Sequence, residues 1–167
     1  KSIIAKDSII NLTDSLDSDG KLSSKLPEGK WTILRFGYTS TGARNWPASK
    51  WGRGLECDKF SRPALKVHFD SFCKKVIDNV ENMAPNALQY IEIDSYEMGG
   101  QNWTEGFAER FEQMKGYDIR TYLPVLAGRY VESPEATAGI AFDLNEVCCH
   151  LMNQNYFRYF TELCHEK

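Results

Sequence analysis

The alternation of apolar and polar positions changes character near residue 61. Before that point no helical period is found. Ile3-Ile4 and Ile9-Ile10 are short β-branched clusters, and residues 31–38 read W-T-I-L-R-F-G-Y, a run of strand formers. Asp17-Ser18-Asp19-Gly20 and Pro27-Glu28-Gly29-Lys30 are turn signals between them. Residues 39–62 read as one long loop that holds Trp46, Pro47 and Trp51 among glycines. Loops longer than about 12–15 residues in compact domains are usually functional or disordered, and two tryptophans weigh against plain disorder.

From Ser61 onward the period is helical. Ser61 and Pro63 predict a helix start, and Leu65, Phe69, Phe72, Cys73, Val76 and Val80 then recur at helical spacing. Residues 88–94, L-Q-Y-I-E-I-D, predict a strand with Ile91 and Ile93 on one face, packed under the flanking helices, and Glu92 and Asp94 on the other. Thr104 is a candidate cap for a helix carrying Phe107, Phe111 and Met114, which Gly116 stops. Ser133-Pro134-Glu135 predicts a further helix start. Apolar positions from Ile140 to Leu163 carry that helix toward the end, about 50 Å if unbroken, with Gly139 as a candidate bend. Helix–strand–helix order predicts an α/β fold with parallel strands. One strand is too few to close a barrel, so the expectation is a partial barrel: a β-rich segment at 1–40, then the first βα units at 41–167. Lys1 in place of Met, and a helical pattern that reaches the last residues, predict an internal piece of a longer protein.

Composition narrows the function classes. Of 167 residues 42% are hydrophobic and 26% charged, which is ordinary globular usage and excludes global disorder or coiled coil. With 20 basic and 23 acidic residues the net charge is −3, and no basic run is present, so a nucleic-acid role is not expected. No apolar run approaches a membrane span, and no signal-peptide pattern opens the chain. The five cysteines, Cys57, Cys73, Cys148, Cys149 and Cys164, include no C-x-x-C pair and are odd in number, which argues against a zinc ribbon and a complete disulfide framework. Cys73, Cys148 and Cys164 are expected as buried thiols. His68, His150 and His165 show no catalytic or metal-binding spacing and are read as structural.

The stretch most informative about chemistry is 90–104, Y-I-E-I-D-S-Y-E-M-G-G-Q-N-W-T. Glu92, Asp94 and Glu97 gather at the end of the predicted strand, where parallel βα units collect their active sites. Glycoside cleavage needs a carboxylic acid to protonate the leaving oxygen and a second carboxylate as base or nucleophile. Trp103 offers a flat face for a sugar ring, and Gln101 and Asn102 offer hydrogen bonds to hydroxyls. Ion pairing of the same acids is the alternative. Glu56 and Asp58 are candidate oxygen ligands for a hard cation, with a solvated ion-pair loop as their alternative. Gly52 and Gly54 lack the frame of a dinucleotide site.

Several blocks together resemble glycoside hydrolase family 106, the α-L-rhamnosidases of pectin-degrading bacteria. They are Gly29-Lys30-Trp31 through Arg35-Phe36-Gly37-Tyr38-Thr39 with Thr41-Gly42, then Gly54-Leu55-Glu56-Cys57-Asp58-Lys59. Asp94-Ser95-Tyr96-Glu97 running into Gly99-Gly100-Gln101-Asn102-Trp103-Thr104 follows, and then Tyr122-Leu123-Pro124 with Ala127-Gly128-Arg129. The resemblance implies a (β/α)8 TIM-type barrel, of which this chain would hold the opening part, with β-sandwich modules attached. It implies inverting hydrolysis of terminal α-L-rhamnosyl groups of pectin-type polysaccharides or rhamnosides. By position it implies Glu97 as general acid, with Asp94, Asn102 and Trp103 lining the sugar pocket. It also suggests Ca2+ near the site, for which Glu92, Asp94, Glu56 and Asp58 are the candidates. The second catalytic carboxylate is expected downstream, in the remainder of the parent chain, so this piece alone is expected to be inactive. A periplasmic or secreted location is implied by the resemblance only. The competing reading is a non-catalytic carbohydrate-binding module.

Overall fold

Helices carry most of the regular structure in the computed structural model, which describes residues 3–93 and 99–167. In chain order the elements are β1 (Ile3–Ile4), α1 (Arg62–His68), α2 (Lys74–Met83), α3 (Phe107–Lys115), β2 (Tyr130–Val131), α4 (Pro134–Met152) and α5 (Tyr159–His165). A π-helical turn, Phe69–Cys73, joins α1 to α2, and a second, Asn153–Arg158, joins α4 to α5. The chain divides into two compact units. One consists of Lys1–Gly37 with Ala108–Leu144, the other of Tyr38–Phe107 with Asn145–Lys167.

In the first unit β1 and β2 pair in parallel, with Ile3 opposite Tyr130 and Ile4 opposite Val131. Val131 is fully buried, and its N–H donates to Thr137 Oγ1 at 2.9 Å. The predicted turn after Leu16 forms: Asp17 Oδ1 accepts from the N–H groups of Asp19 and Lys21 at 3.0 and 2.8 Å. Gly20 there has φ +79°, a backbone conformation that residues with a Cβ disfavour. Further on, Tyr117 meets Phe111 and Tyr122 edge-to-face, with ring centroids at 5.1 and 5.3 Å. Asp143 receives the Tyr117 hydroxyl at 2.9 Å and pairs with Lys115 at 2.9 Å. The bond to Lys115 holds the Asp143 carboxyl below its ordinary range, while burial and then Asp143 itself push the Tyr117 phenol up. Tyr117 therefore keeps its proton and serves as a donor.

The second unit is built on α1, α2 and α5. Ser61 caps α1 as predicted, its Oγ accepting from the Ala64 N–H at 3.3 Å. Leu65, Phe69, Cys73, Phe160 and Leu163 form the core, with Phe69 edge-on to Phe160 at 5.6 Å. Full burial of a Leu or Phe side chain stabilises by roughly 1.5–3 kcal/mol, so these contacts dominate the local energetics. Arg62 ties the same elements together, reaching Asn155 Oδ1 at 3.2 Å and Glu162 Oε2 at 3.1 Å.

The long helix also starts where predicted: the Ala136 N–H donates to Ser133 Oγ at 3.0 Å, and Pro134 is the first helical residue. Gly139 does not break it. The irregularity is instead the π turn at Asn153–Arg158. All five cysteines are free thiols, with Cys73 and Cys148 buried and Cys164 half-buried.

The structure corrects several expectations. Residues 31–38 form no strand, and Ile33 and Tyr38 are exposed. Residues 88–93 form no strand either; Asp94 lies outside the described residues. Of the two isoleucines expected under the helices, Ile93 packs half-buried against the second unit's core, whereas Ile91 is exposed. The reason is common to both runs. A strand is defined by a neighbour that takes its N–H and C=O groups, and the described residues supply none. Phe72 and Val76, expected on the buried face of their helix, are exposed. The inward positions there, Leu65, Phe69, Cys73 and Ile77, are spaced by four. A π turn slows the rotation of the helix, so every fourth residue stays on the buried face and every third leaves it. At the start of α3 the Thr104 carbonyl accepts from the Phe107 N–H at 3.2 Å, and the Thr104 hydroxyl donates to Asp58.

Candidate functional site

Two of the blocks singled out in the sequence meet in the second unit. The first, residues 54–60, runs into α1. The second, residues 99–104, leads into α3. Asp58 joins them. Its Oδ1 accepts from the Phe60 N–H at 2.9 Å, which shapes its own turn, and also from the Gln101 amide. Its Oδ2 accepts from the Thr104 hydroxyl. Gln101 closes the clamp in the other direction: its Oε1 accepts from the Lys59 N–H at 3.1 Å. Its Nε2 also reaches the Trp103 carbonyl at 3.3 Å. A charged acceptor in a half-buried place makes such bonds worth about 1.5–3 kcal/mol each.

Apolar contacts reinforce the clamp. The Phe107 ring at the start of α3 lies between Phe60, with centroids at 6.4 Å, and Trp103, at 4.6 Å. Lys59, 3% exposed, pairs with Glu56 Oε2 at 2.6 Å, and its ammonium sits 5.4 Å from the centre of the Tyr156 ring. Burial works to lower the Lys59 pKa, but the Glu56 carboxylate outweighs it and the net shift is upward. Cys57, between them, is pushed up by burial and is a poor nucleophile.

Of the residues assigned from sequence, Asn102 is exposed and Trp103 half-buried, adjacent to each other on the clamped loop. One part of the Trp103 ring is committed to Phe107, so it is both a packing residue and a candidate sugar contact. Glu97 and Asp94 lie outside the described residues, in the segment that the clamped loop directly follows. Glu92 is exposed. The part that Lys59 and Thr104 play in the clamp, and the involvement of Tyr156, are not carried by the pattern of the chain. The clamp bonds span 42 to 46 residues, and no local periodicity carries that information.

Glu56 and Asp58 do not fit the calcium site that the resemblance suggests. Glu56 is taken by Lys59, and both oxygens of Asp58 accept hydrogen bonds from protein donors. Among the described residues no group of three His, Cys, Asp or Glu side chains is placed to hold a metal ion.

A curated protein of Formosa agariphila, provisionally named a beta-glucuronidase, is 42% identical over 166 residues, which is 99% of this chain and 14% of that protein. The solved structure of a rhamnosidase from Novosphingobium sp. PP1Y superposes with a TM-score of 0.78 at 28% identity, covering 97% of this chain and 16% of the other. The chain thus spans about a seventh of the relatives it matches. The model of glycoside hydrolase family 106, described as alpha-L-rhamnosidase, matches residues 1–167, and the chain belongs to that family.

Proposed function

We propose that the protein containing this chain hydrolyses terminal α-L-rhamnosyl groups with inversion, and that this chain supplies its general acid and part of its sugar pocket. The observation that carries the reading is the clamp of Asp58 on Gln101 and Thr104. It fixes the loop holding Asn102 and Trp103, which follows the segment holding Asp94 and Glu97 without a break. Family membership supports a glycosidase over a binding module without chemistry.

In this mechanism Glu97 delivers its proton to the glycosidic oxygen as the bond breaks. A second carboxylate, from a part of the protein outside this chain, takes a proton from the water that attacks the opposite face. The two carboxyl groups of an inverting site stand roughly 6.5–9.5 Å apart to admit that water. Asn102 donates to sugar hydroxyls, and the free part of the Trp103 ring lies against the sugar.

The test is Glu97→Gln in the intact protein. Turnover of a natural rhamnoside should fall by roughly 10²–10⁴-fold, the usual contribution of a placed acid. An aryl rhamnoside whose leaving group departs without a proton should lose much less. Near-normal turnover of the natural glycoside would remove Glu97 from the acid role. An aryl β-glucuronide belongs in the same assay, since the name of the Formosa agariphila relative puts that sugar forward. Preference for the glucuronide would replace rhamnose as the substrate.

A further inference from the structure

We infer that the loop at residues 43–55 binds carbohydrate and is built for a glycan that carries carboxylate groups. The loop closes on itself. Arg44 and Leu55 form an antiparallel bridge, and the Glu56 N–H donates to the Ala43 carbonyl at 2.9 Å. Asn45 spans the interior: its Nδ2 donates to the Gly52 carbonyl at 2.9 Å and its Oδ1 accepts from the Gly54 N–H at 2.7 Å. The loop is thus held by its own bonds. Yet its two indoles are turned outward, Trp46 69% and Trp51 91% exposed. Tryptophan is highly buried on average, so two exposed indoles on one internally bonded loop mark a contact surface.

Charge identifies the ligand class. Between Glu28 and Glu56 the sequence has no acidic residue, whereas Lys30, Arg35, Arg44, Lys50 and Arg53 are all basic, in a chain of net charge −3. Two of these cations are placed on the indoles: Lys50 Nζ lies 5.4 Å from the centre of the Trp51 ring, and the Arg53 guanidinium 4.7 Å from that of Trp46. Among the described residues no carboxylate forms an ion pair with Arg44, Lys50 or Arg53. A pyranose ring lying on an indole places its apolar C–H face on the aromatic surface, and a carboxylate on that ring then falls within reach of the neighbouring cation. A neutral sugar would use the indoles and leave the cations idle. A nucleic acid would also find bases to stack and charges to pair, but the family acts on glycans.

The inference rests on the glycosidase reading for its choice of sugar, and its measurement needs no turnover. The full-length protein is titrated calorimetrically with oligogalacturonate and with the same oligomer methyl-esterified. Oligogalacturonate should bind at least about tenfold more tightly than the ester, and the preference should shrink with added salt. Trp51→Ala should weaken binding about tenfold, Trp51→Phe less, and Lys50→Gln should remove much of the preference for the free acid. Equal affinity for acid and ester, or unchanged affinity in Trp51→Ala, would overturn the inference. So would tighter binding of an oligonucleotide of equal charge. Acrylamide quenching compares Trp51→Phe with the unsubstituted protein. A Trp51 contribution shielded from quencher would mean that the rest of the protein covers the loop, which also overturns it. A failed rhamnosidase assay with intact oligogalacturonate binding would sink only the proposed activity, and the reverse result only this site.

Discussion

Two side-chain amides hold two loops of the second unit, with opposite results. Asn45 bonds to Gly52 and Gly54, seven and nine residues away. Gln101 bonds to Lys59 and Asp58, 42 and 43 residues away. The first amide ties a loop to itself and leaves its large side chains in solvent. The second ties a loop to a distant segment and helps bury an aromatic stack. Closing a short ring costs less chain entropy than joining remote segments, so the remote joint needs the stronger bonds. It has them, since its acceptor is a carboxylate with three donors. Local closure suits a surface that meets something outside, and remote closure suits the placement of one group relative to another.

This contrast can be broken at either end. The largest effect is expected from Asp58→Ala, which removes the acceptor shared by Phe60, Gln101 and Thr104. It should destabilise the unit by about 3 kcal/mol and speed amide exchange at Lys59 and Phe60 by two decades or more. Asp58→Asn should fall between, because one oxygen remains to accept. If exchange at Lys59 and Phe60 is unmoved in Asp58→Ala, the clamp is not what holds this segment.

Asn45→Ala should cost about 1 kcal/mol, the net worth of a loop's neutral hydrogen bonds, and the faster exchange should be confined to 43–55. Spread of that effect to Lys59 would show that the two loops are one cooperative piece. The smallest expected effect concerns alkaline pH. Lys59 binds its proton more tightly in the folded protein than its ordinary pKa of 10.5. The contribution of the Lys59–Glu56 pair is therefore complete below pH 10.5 and fades as the pH rises through the raised folded value. Exchange at Lys59 should accelerate above that range beyond the intrinsic rise, and Lys59→Met should abolish the excess. A pH profile identical in the two proteins would leave the pair without a stabilising role.

What could be read from the chain follows the same division between local and remote. Ser61, Ser133, Gly116 and the turn at Asp17–Gly20 were legible because each acts on backbone groups within a few residues. The strands expected at 31–38 and 88–94 were not settled by their composition, since strand structure depends on a partner that composition does not name. Asp58 and Gln101 were each noticed, one as a candidate metal ligand and the other as a hydrogen-bonding group for sugar. Their actual bond to each other was invisible, because it joins segments more than forty residues apart in the chain. Asn102 and Trp103 gain their position from that bond.

The π turns at Phe69–Cys73 and Asn153–Arg158 have a bearing on how such chains can vary in length. Each lodges one more residue per turn than an α-helix while the helix continues on both sides. Arg62 exploits the second by donating to the Gln154 carbonyl at 3.3 Å. Helices of this kind can lose a single residue and close up into a plain α-helix, with the flanking segments kept in line. Aligned by residue count alone, two such chains would seem shifted by one across the whole downstream segment, although their cores superpose. A one-residue gap at 69–73 or 153–158 is therefore the cheapest length change these helices can accept.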